Sequence, residues 1–304
     1  MIMHPRMPEI AEIGWAQTHY KCENQHNFTK DGELVDVFGN PLKKKPVVKK
    51  DKTEGNLSYS IKEEAITITK CNSSASGELS IPATIEGKSV TSIGERAFSK
   101  CHKLTSITIP DSVTSIGDGA FKSGSNLTTI EVGAGNPDYT DMDGVLFNKE
   151  KTALRIYPAG KTGDNYTIPD GVTRIEYRTF YGCTSLTSIT IPDSVTSIGK
   201  WAFRECTGLT SITIPDGVTS IGVAAFYGCE RLTSLTIGNS VTSIGNKAFS
   251  SCRKLTAVTF LGDAPKAGEQ VFEFTISTIY RNPEAKGWGD TWGGRPVKLI
   301  SEKP

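Results

Sequence analysis

Little in this chain is suited to catalytic chemistry. Histidine is scarce, four in 304 residues, with His4, His19 and His26 inside the first 26 and only His102 beyond them. Neither G-x-S-x-G, a glycine-rich phosphate loop nor H-E-x-x-H occurs, so the usual local signatures of nucleophilic, phosphoryl-transfer and zinc-dependent catalysis are missing. A surplus of charge is missing too. Lys and Arg number 34 against 33 Asp and Glu, for a formal charge of +1, which gives no global attraction to nucleic acid or an anionic membrane. The one basic run, Lys43-Lys44-Lys45 through Lys49-Lys50, sits beside Pro41 and Pro46 and reads as a solvated linker. No stretch approaches the roughly 18 apolar residues of a membrane helix, and MIMHPRMPEIAEIGW has no apolar core of a secretory signal. We therefore expect no enzyme, no cofactor, no nucleic-acid partner and no membrane insertion.

What is abundant is repetition. LTSITIPDSVTSIG at residues 104–117 recurs letter for letter at 186–199, then as LTSITIPDGVTSIG at 209–222 and LTSLTIGNSVTSIG at 232–245. Phe98 and Phe121 are 23 residues apart, as are Phe180, Phe203, Phe226 and Phe249 in series. A fixed period in the twenties marks a solenoid. Within the unit L-T-S-I-T-I-P-D-x-V-T-S-I-G-x-x-A-F-x-x-C, the alternation of LTSITI points Leu and Ile inward and Ser and Thr outward, as in a half-buried strand. Pro closes that strand because it cannot donate to a ladder, and VTSI makes a second inward-facing segment. The A-F-x-x-C piece is expected to turn the chain back through a short helical or 3₁₀ turn. Each coil then offers about six apolar side chains, worth about 1.5–3 kcal/mol per large one fully buried. Only stacking closes the core, with Leu104, Leu186, Leu209, Leu232 and Leu255 in one column and the phenylalanines in another.

The motifs L-x-x-I-x-I-P and I-G-x-x-A-F-x-x-C in a 23-residue unit resemble the BspA-like, treponemal type of leucine-rich repeat over roughly residues 57–300. The resemblance implies a mostly β fold, a leucine-rich-repeat solenoid with β-rich caps at both ends. It divides the chain into an appended segment at 1–56, an N-terminal cap and irregular coil at 57–97, the solenoid at 98–256 and a C-terminal cap at 257–304. Trp288 and Trp292 are expected to cover the open end of the last coil. The resemblance also implies a bacterial cell-surface or secreted protein, monomeric, that binds a protein or glycan on host matrix or another cell.

One interval departs from the period. Phe121 and Phe180 are 59 residues apart, 13 more than two regular repeats. The runs VLF and ALRIY flank NKEKT there, which predicts a hairpin, within about 132–165, protruding from the solenoid. Tyr139, Asp141, Phe147 and Tyr157 lie on it, and aromatic side chains are favoured interface anchors.

Three clusters invite a chemical reading. Cys101, Cys183, Cys206, Cys229 and Cys252 each follow the repeat Phe by three residues. Equivalent residues of adjacent coils lie about 4.7–4.9 Å apart with parallel Cβ vectors, which suits neither a disulfide nor four thiolates around one zinc at about 2.3 Å. They read as buried small hydrophobes. His19, Cys22 and His26 are metal-type residues without a fourth ligand, and Asp138, Asp141 and Asp143 precede Gly144 out of calcium-loop register, so no metal site is expected. What remains is the outward face of the strands, Ser106, Thr108, Thr129, Glu131, Ser188, Thr190, Ser211, Thr213, Ser234 and Thr236. Stacked, these make a hydroxyl-rich sheet expected to line the inner curve, where solenoids bind. An adhesin-like binding module follows as the first reading. A passive spacer displaying the N-terminal segment is the alternative.

Overall fold

The computed structural model describes residues 52–122 and 126–303, together with the backbone of Asn27–Phe28 and Leu34–Val35. The chain forms two units, 1–49 and 50–304. In the first, Asn27–Phe28 pairs antiparallel with Leu34–Val35.

The second unit is the solenoid. Each coil lays down one strand from the LTSITI segment and a shorter one from VTSI, so parallel strands follow one another in two series, each divided into separate sheets along the stack. In the first, Ser211–Ile214, Ser234–Ile237, Ala257–Phe260 and Thr278–Arg281 follow in order, with Ser211 opposite Ser234 and Ser234 opposite Ala257. In the second, Ser197 faces Ser220, Ser220 faces Ser243 and Ser243 faces Lys266. The turn between them is Pro-Asp-x-Val: the Val195 and Val218 N–H groups donate to the Pro192 and Pro215 carbonyls at 3.1 and 3.2 Å.

The corner departs from expectation. A-F-x-x-C contains no helix, and among the described residues the one 3₁₀ segment is Ile300–Glu302. Turns with i→i+3 bonds follow one another instead, such as Arg204 N–H to Trp201 C=O and Cys206 N–H to Phe203 C=O. The residue before each Ala-Phe or its equivalent is left-handed: Arg96, Arg178, Trp201, Ala224, Lys247 and Gln270 have φ between 50° and 60° or, at Trp201, 61°. A left-handed residue cannot continue a right-handed turn. Freed from a helix, corner N–H groups reach the next coil, as Phe180 does to Ala202 and Phe203 to Ala225, both at 2.7 Å.

The phenylalanines stack as predicted by their spacing. Ring centroids are 4.9 Å apart for Phe180 and Phe203, 4.8 Å for Phe203 and Phe226, and 5.3 Å for Phe226 and Phe249, with planes within 16° of parallel. At the N-terminal end, Leu57–Lys62 pairs antiparallel with Ala65–Cys71, which runs parallel to Lys88–Ile93. That hairpin already begins at Lys52–Glu54, inside the segment assigned by sequence to the appendage. At the other end Trp288 and Trp292 pack edge-on to Phe260 at 4.9 and 5.0 Å, their indole N–H groups donating to the Gly262 and Pro265 carbonyls.

The inserted segment does not protrude. Tyr139–Met142, Val145–Asn148 and Ala153–Ile156 form an antiparallel meander whose last strand runs parallel to Arg174–Ile175, so it extends the second sheet. Val145, Leu146 and Phe147 are all fully buried. Their alternation serves two cores. Val145 and Phe147 join the cluster running to Trp292, whereas Leu146 and Tyr139 join the cluster running back to Leu57. Short apolar runs buried on both faces are what a hairpin standing free in solvent could not sustain.

Candidate functional site

The first sheet carries the hydroxyl-rich columns. Thr190, Ser211 and Thr213 are exposed, while Ser106, Thr108, Ser188, Ser234 and Thr236 are half-buried. They are not one uninterrupted face. Ser106 and Thr108 lie opposite Thr129 and Glu131 in a three-stranded sheet before the insert. Ser188 and Thr190 lie opposite Asn165 and Thr167 in a two-stranded one after it. Ser211, Thr213, Ser234 and Thr236 lie together in the six-stranded C-terminal sheet. The insert closes the first of these: the Ile130 N–H donates to Gly144 C=O and the Val132 N–H to the Asp141 carboxylate, both at 2.9 Å. Gly144 is required at that contact, since φ is +75° and a Cβ would lie 3.0 Å from the Thr129 methyl.

Hydroxyls in the coil divide into two populations. The Thr that follows Leu donates its Oγ1 to the carbonyl of its counterpart one coil earlier: Thr210 to Thr187, Thr233 to Thr210 and Thr256 to Thr233, at 3.1–3.3 Å. The Thr that follows Val does the same, as with Thr196 to Thr173, Thr219 to Thr196 and Thr242 to Thr219. These two columns hold the coils together. The outward columns are different. Among the described residues, the side chains of Ser106, Thr190, Ser211, Thr213, Ser234 and Thr236 have no hydrogen-bond partner, while Thr108 meets Glu131 and Ser188 meets Asn165. The outward columns are visible in the sequence pattern, whereas the two bonding ones are not apparent from its alternation. The signal was present, for Thr recurs at both positions where Ser or Asn would be equally polar, but only the methyl-bearing hydroxyl both fits the strand and reaches back.

A shallow groove crosses the strands Ser188–Thr190 and Ser211–Ile214, lined by Ser188, Thr190, Asp193, Ser211, Thr213 and Asp216. The two strands belong to separate sheets, and the groove lies where the ladder between them is interrupted. Asp216 accepts the Asn239 N–H at 2.8 Å, leaving the Asp193 carboxylate to face solvent. Beyond Thr236 the column ends under the C-terminal cap: Thr259 is buried and accepts from the Lys303 ammonium at 3.0 Å.

The other candidates are structural. Tyr139 and Tyr157 are 7 % and 4 % exposed and belong to the core, while Asp141 is half-buried and engaged with the Val132 N–H. Tyr157 stands 23 residues before Phe180 and packs against it with centroids 5.2 Å apart and planes tilted by 33°; it is the repeat phenylalanine in another form. Asp143 and Gly144, at φ 52° and 75°, make the tight hairpin turn. Among the described residues no group of acids, cysteines or histidines is arranged to hold a metal, and His19, Cys22 and His26 lie outside the described residues. The cysteine column has its own task. Cys206, Cys229 and Cys252 donate S–H to the carbonyls of Phe180, Phe203 and Phe226 at 3.0–3.2 Å. Burial pushes the Cys206 thiol up to about 12 and raises Cys183 and Cys229 further from ionisation, so these are neither nucleophiles nor thiolate ligands.

Comparison with known proteins bears on the family. The family described as BspA type leucine-rich repeat region matches in six copies over residues 66–153 and 160–278. No curated protein matches the chain. A leucine-rich repeat protein from Eubacterium ventriosum is 22% identical, with 79% of this chain and 97% of that one covered and a TM-score of 0.50. A leucine-rich cell surface protein from Faecalibacterium prausnitzii is 22% identical over 70% of this chain and 95% of its own, with a TM-score of 0.43. Likeness at this identity concerns the fold alone. No helix among the described residues is long and apolar enough to cross a membrane.

Proposed function

Because the chain belongs to the BspA-type leucine-rich repeat family, we propose that it is a non-enzymatic, adhesin-like binding module of a bacterial surface, recognising a protein or glycan through the outward Ser/Thr columns of its first sheet. The observation that carries this reading is the division of the hydroxyls. Two threonine columns are consumed by coil-to-coil bonds, whereas Thr190, Ser211, Thr213, Ser234 and Thr236 present donors and acceptors to solvent on rigid strands. Such groups, fixed in register and costing no ordering on association, suit recognition of polar, hydroxyl-rich or backbone surfaces. The Asp193 carboxylate at the groove adds one acceptor of full charge.

The test is binding of the full chain to a panel of matrix proteins and a glycan array, beside a variant with Thr190, Thr213 and Thr236 changed to Lys. All three side chains point away from the core, so circular dichroism melts should coincide. A ligand retained by the native chain and lost from the variant supports the reading; one retained equally by both overturns it. Retention of nothing by either chain would leave the spacer role.

A further inference from the structure

The corners of the coils carry a second set of side chains, remote in character from the hydroxyl face. Arg178 occupies the left-handed corner position with φ 60° and is 8 % exposed. Its guanidinium lies 4.2 Å from the Trp201 ring centroid, 4.8 Å from Tyr177 and 5.6 Å from Tyr181. Among the described residues no carboxylate reaches it, and its buried Nε has no hydrogen-bond partner. A buried guanidinium held only by ring faces is an unusual arrangement, because charged donors that leave water normally gain an acceptor.

A cavity of about 110 Å³ lies beside it, lined by Arg178, Lys122, Arg155, Tyr177, Tyr181 and Asp118 among others. The Lys122 ammonium sits 5.0 Å from the Tyr181 ring and the Arg155 guanidinium 5.7 Å from the Tyr139 ring. Neither makes a salt bridge among the described residues. Nearby acids are engaged elsewhere: Glu176 pairs with Arg174 at 3.5 Å, and Glu205 pairs with Arg204 at 3.0 Å while accepting from the Tyr181 hydroxyl at 2.9 Å. Asp118 is the one carboxylate of the lining without a partner. Burial first, then Arg178 and Arg96, pull the Lys122 ammonium below its ordinary range, with Glu205 acting weakly against them. Gly119 preserves the arrangement, since a Cβ there would lie 2.7 Å from Arg178 Nη1.

We propose that this cavity binds a single oxyanion group, a carboxylate, sulfate or phosphate borne by a larger ligand, between Lys122, Arg155 and Arg178. The chemistry is charge-assisted hydrogen bonding, with arginine offering a planar fork and lysine a point charge. The site joins the coil of Phe121 to the coil of Phe180, on either side of the insert. It is independent of the hydroxyl-face reading and stands or falls without it.

Calorimetric titration of the full chain with sodium sulfate, sodium phosphate and sodium acetate, each against sodium chloride at equal ionic strength, tests this. The expected result is saturable one-site binding of at least one oxyanion, weakened tenfold or more by Arg178→Met and by Lys122→Met, and tightened by Asp118→Asn. Which salt binds identifies the group: sulfate or phosphate a tetrahedral ester, acetate a carboxylate. If Arg178→Met does not fold, Lys122→Met, on a less buried side chain, gives the same reading. No heat beyond the chloride control with any of the three, or an unchanged isotherm in Lys122→Met, overturns the proposal.

Discussion

The two cores on either side of the insert are built from the same repeat and end differently. In the C-terminal one, five phenylalanine rings from Phe180 through Phe272 stack without a gap, with Tyr157 tilted against the first. In the N-terminal one the stack among the described residues is a single pair, Phe98 on Phe121 at 5.2 Å, with no further ring on Phe121. Thirteen additional residues separate them. The difference lies in the period: where the interval is kept, one column runs on, and where it changes, a new core begins. The Val145–Asn148 strand repairs the seam by giving alternate side chains to each.

The contrast can be broken most forcefully at the rings. Phe226→Ala, in the middle of the long stack, is expected to cost about 3–5 kcal/mol, and Phe121→Ala less, because one face of that ring has no stacked partner. Urea unfolding of both variants measures the difference; equal losses would mean the stack itself adds nothing. Next comes the seam. Asn136 is fully buried, donates to the Pro110 and Val113 carbonyls at 2.9 Å, and accepts from the Asp138 and Tyr139 N–H groups. Asn136→Ala leaves those groups unpaired, so about 1–3 kcal/mol should be lost. Hydrogen exchange should then show the two cores opening at separate free energies rather than together.

Smaller effects distinguish the thiols. The unfolded Cys206 thiol ionises near 9, while the folded one stays neutral to about 12. Its contribution is therefore complete below pH 9 and declines as pH rises toward 12. Melts across that window should fall more steeply for the native chain than for Cys206→Ala, which itself should cost about 1 kcal/mol at neutral pH through the lost contact and S–H bond. Smallest is the hydroxyl pair. Thr210→Val removes a coil-to-coil bond and should cost about 0.5–1.5 kcal/mol, whereas Thr213→Val, on the outward column, should leave the unfolding midpoint unchanged. Equal effects would erase the distinction on which the binding face rests.

Much of this architecture is legible in the residues themselves. The period places the Phe and Leu columns and the two strands of each coil, because each depends on local alternation and identical spacing, whereas the tryptophans over the last coil follow from the family resemblance. Other features are hidden for physical reasons. Tyr157 carries a hydroxyl, which disguises it as an interface anchor although its position is that of the repeat Phe. Val145, Leu146 and Phe147 are buried on both faces, so alternation, the usual mark of a strand's orientation, disappears. The left-handed corners are occupied by Arg96, Arg178, Trp201 and Lys247 instead of glycine, and such residues give no warning of the conformation they must adopt. The oxyanion cavity needs Lys122 and Arg178, 56 positions apart, and no spacing rule joins them.

The bonding threonines and cysteines have a direction. Thr210 reaches Thr187, Thr219 reaches Thr196 and Cys206 reaches Phe180, always toward the earlier coil, while the corner N–H groups of Phe180, Phe203 and Phe226 reach toward the later one. A ribosome delivers these partners in order. As a coil leaves the exit tunnel, its side-chain donors meet acceptors already in place, so its sheet side can dock at once. Its corner stays open until the following coil has been made. Translation thus leaves one half-closed turn at the growing end until the following coil arrives to bond it.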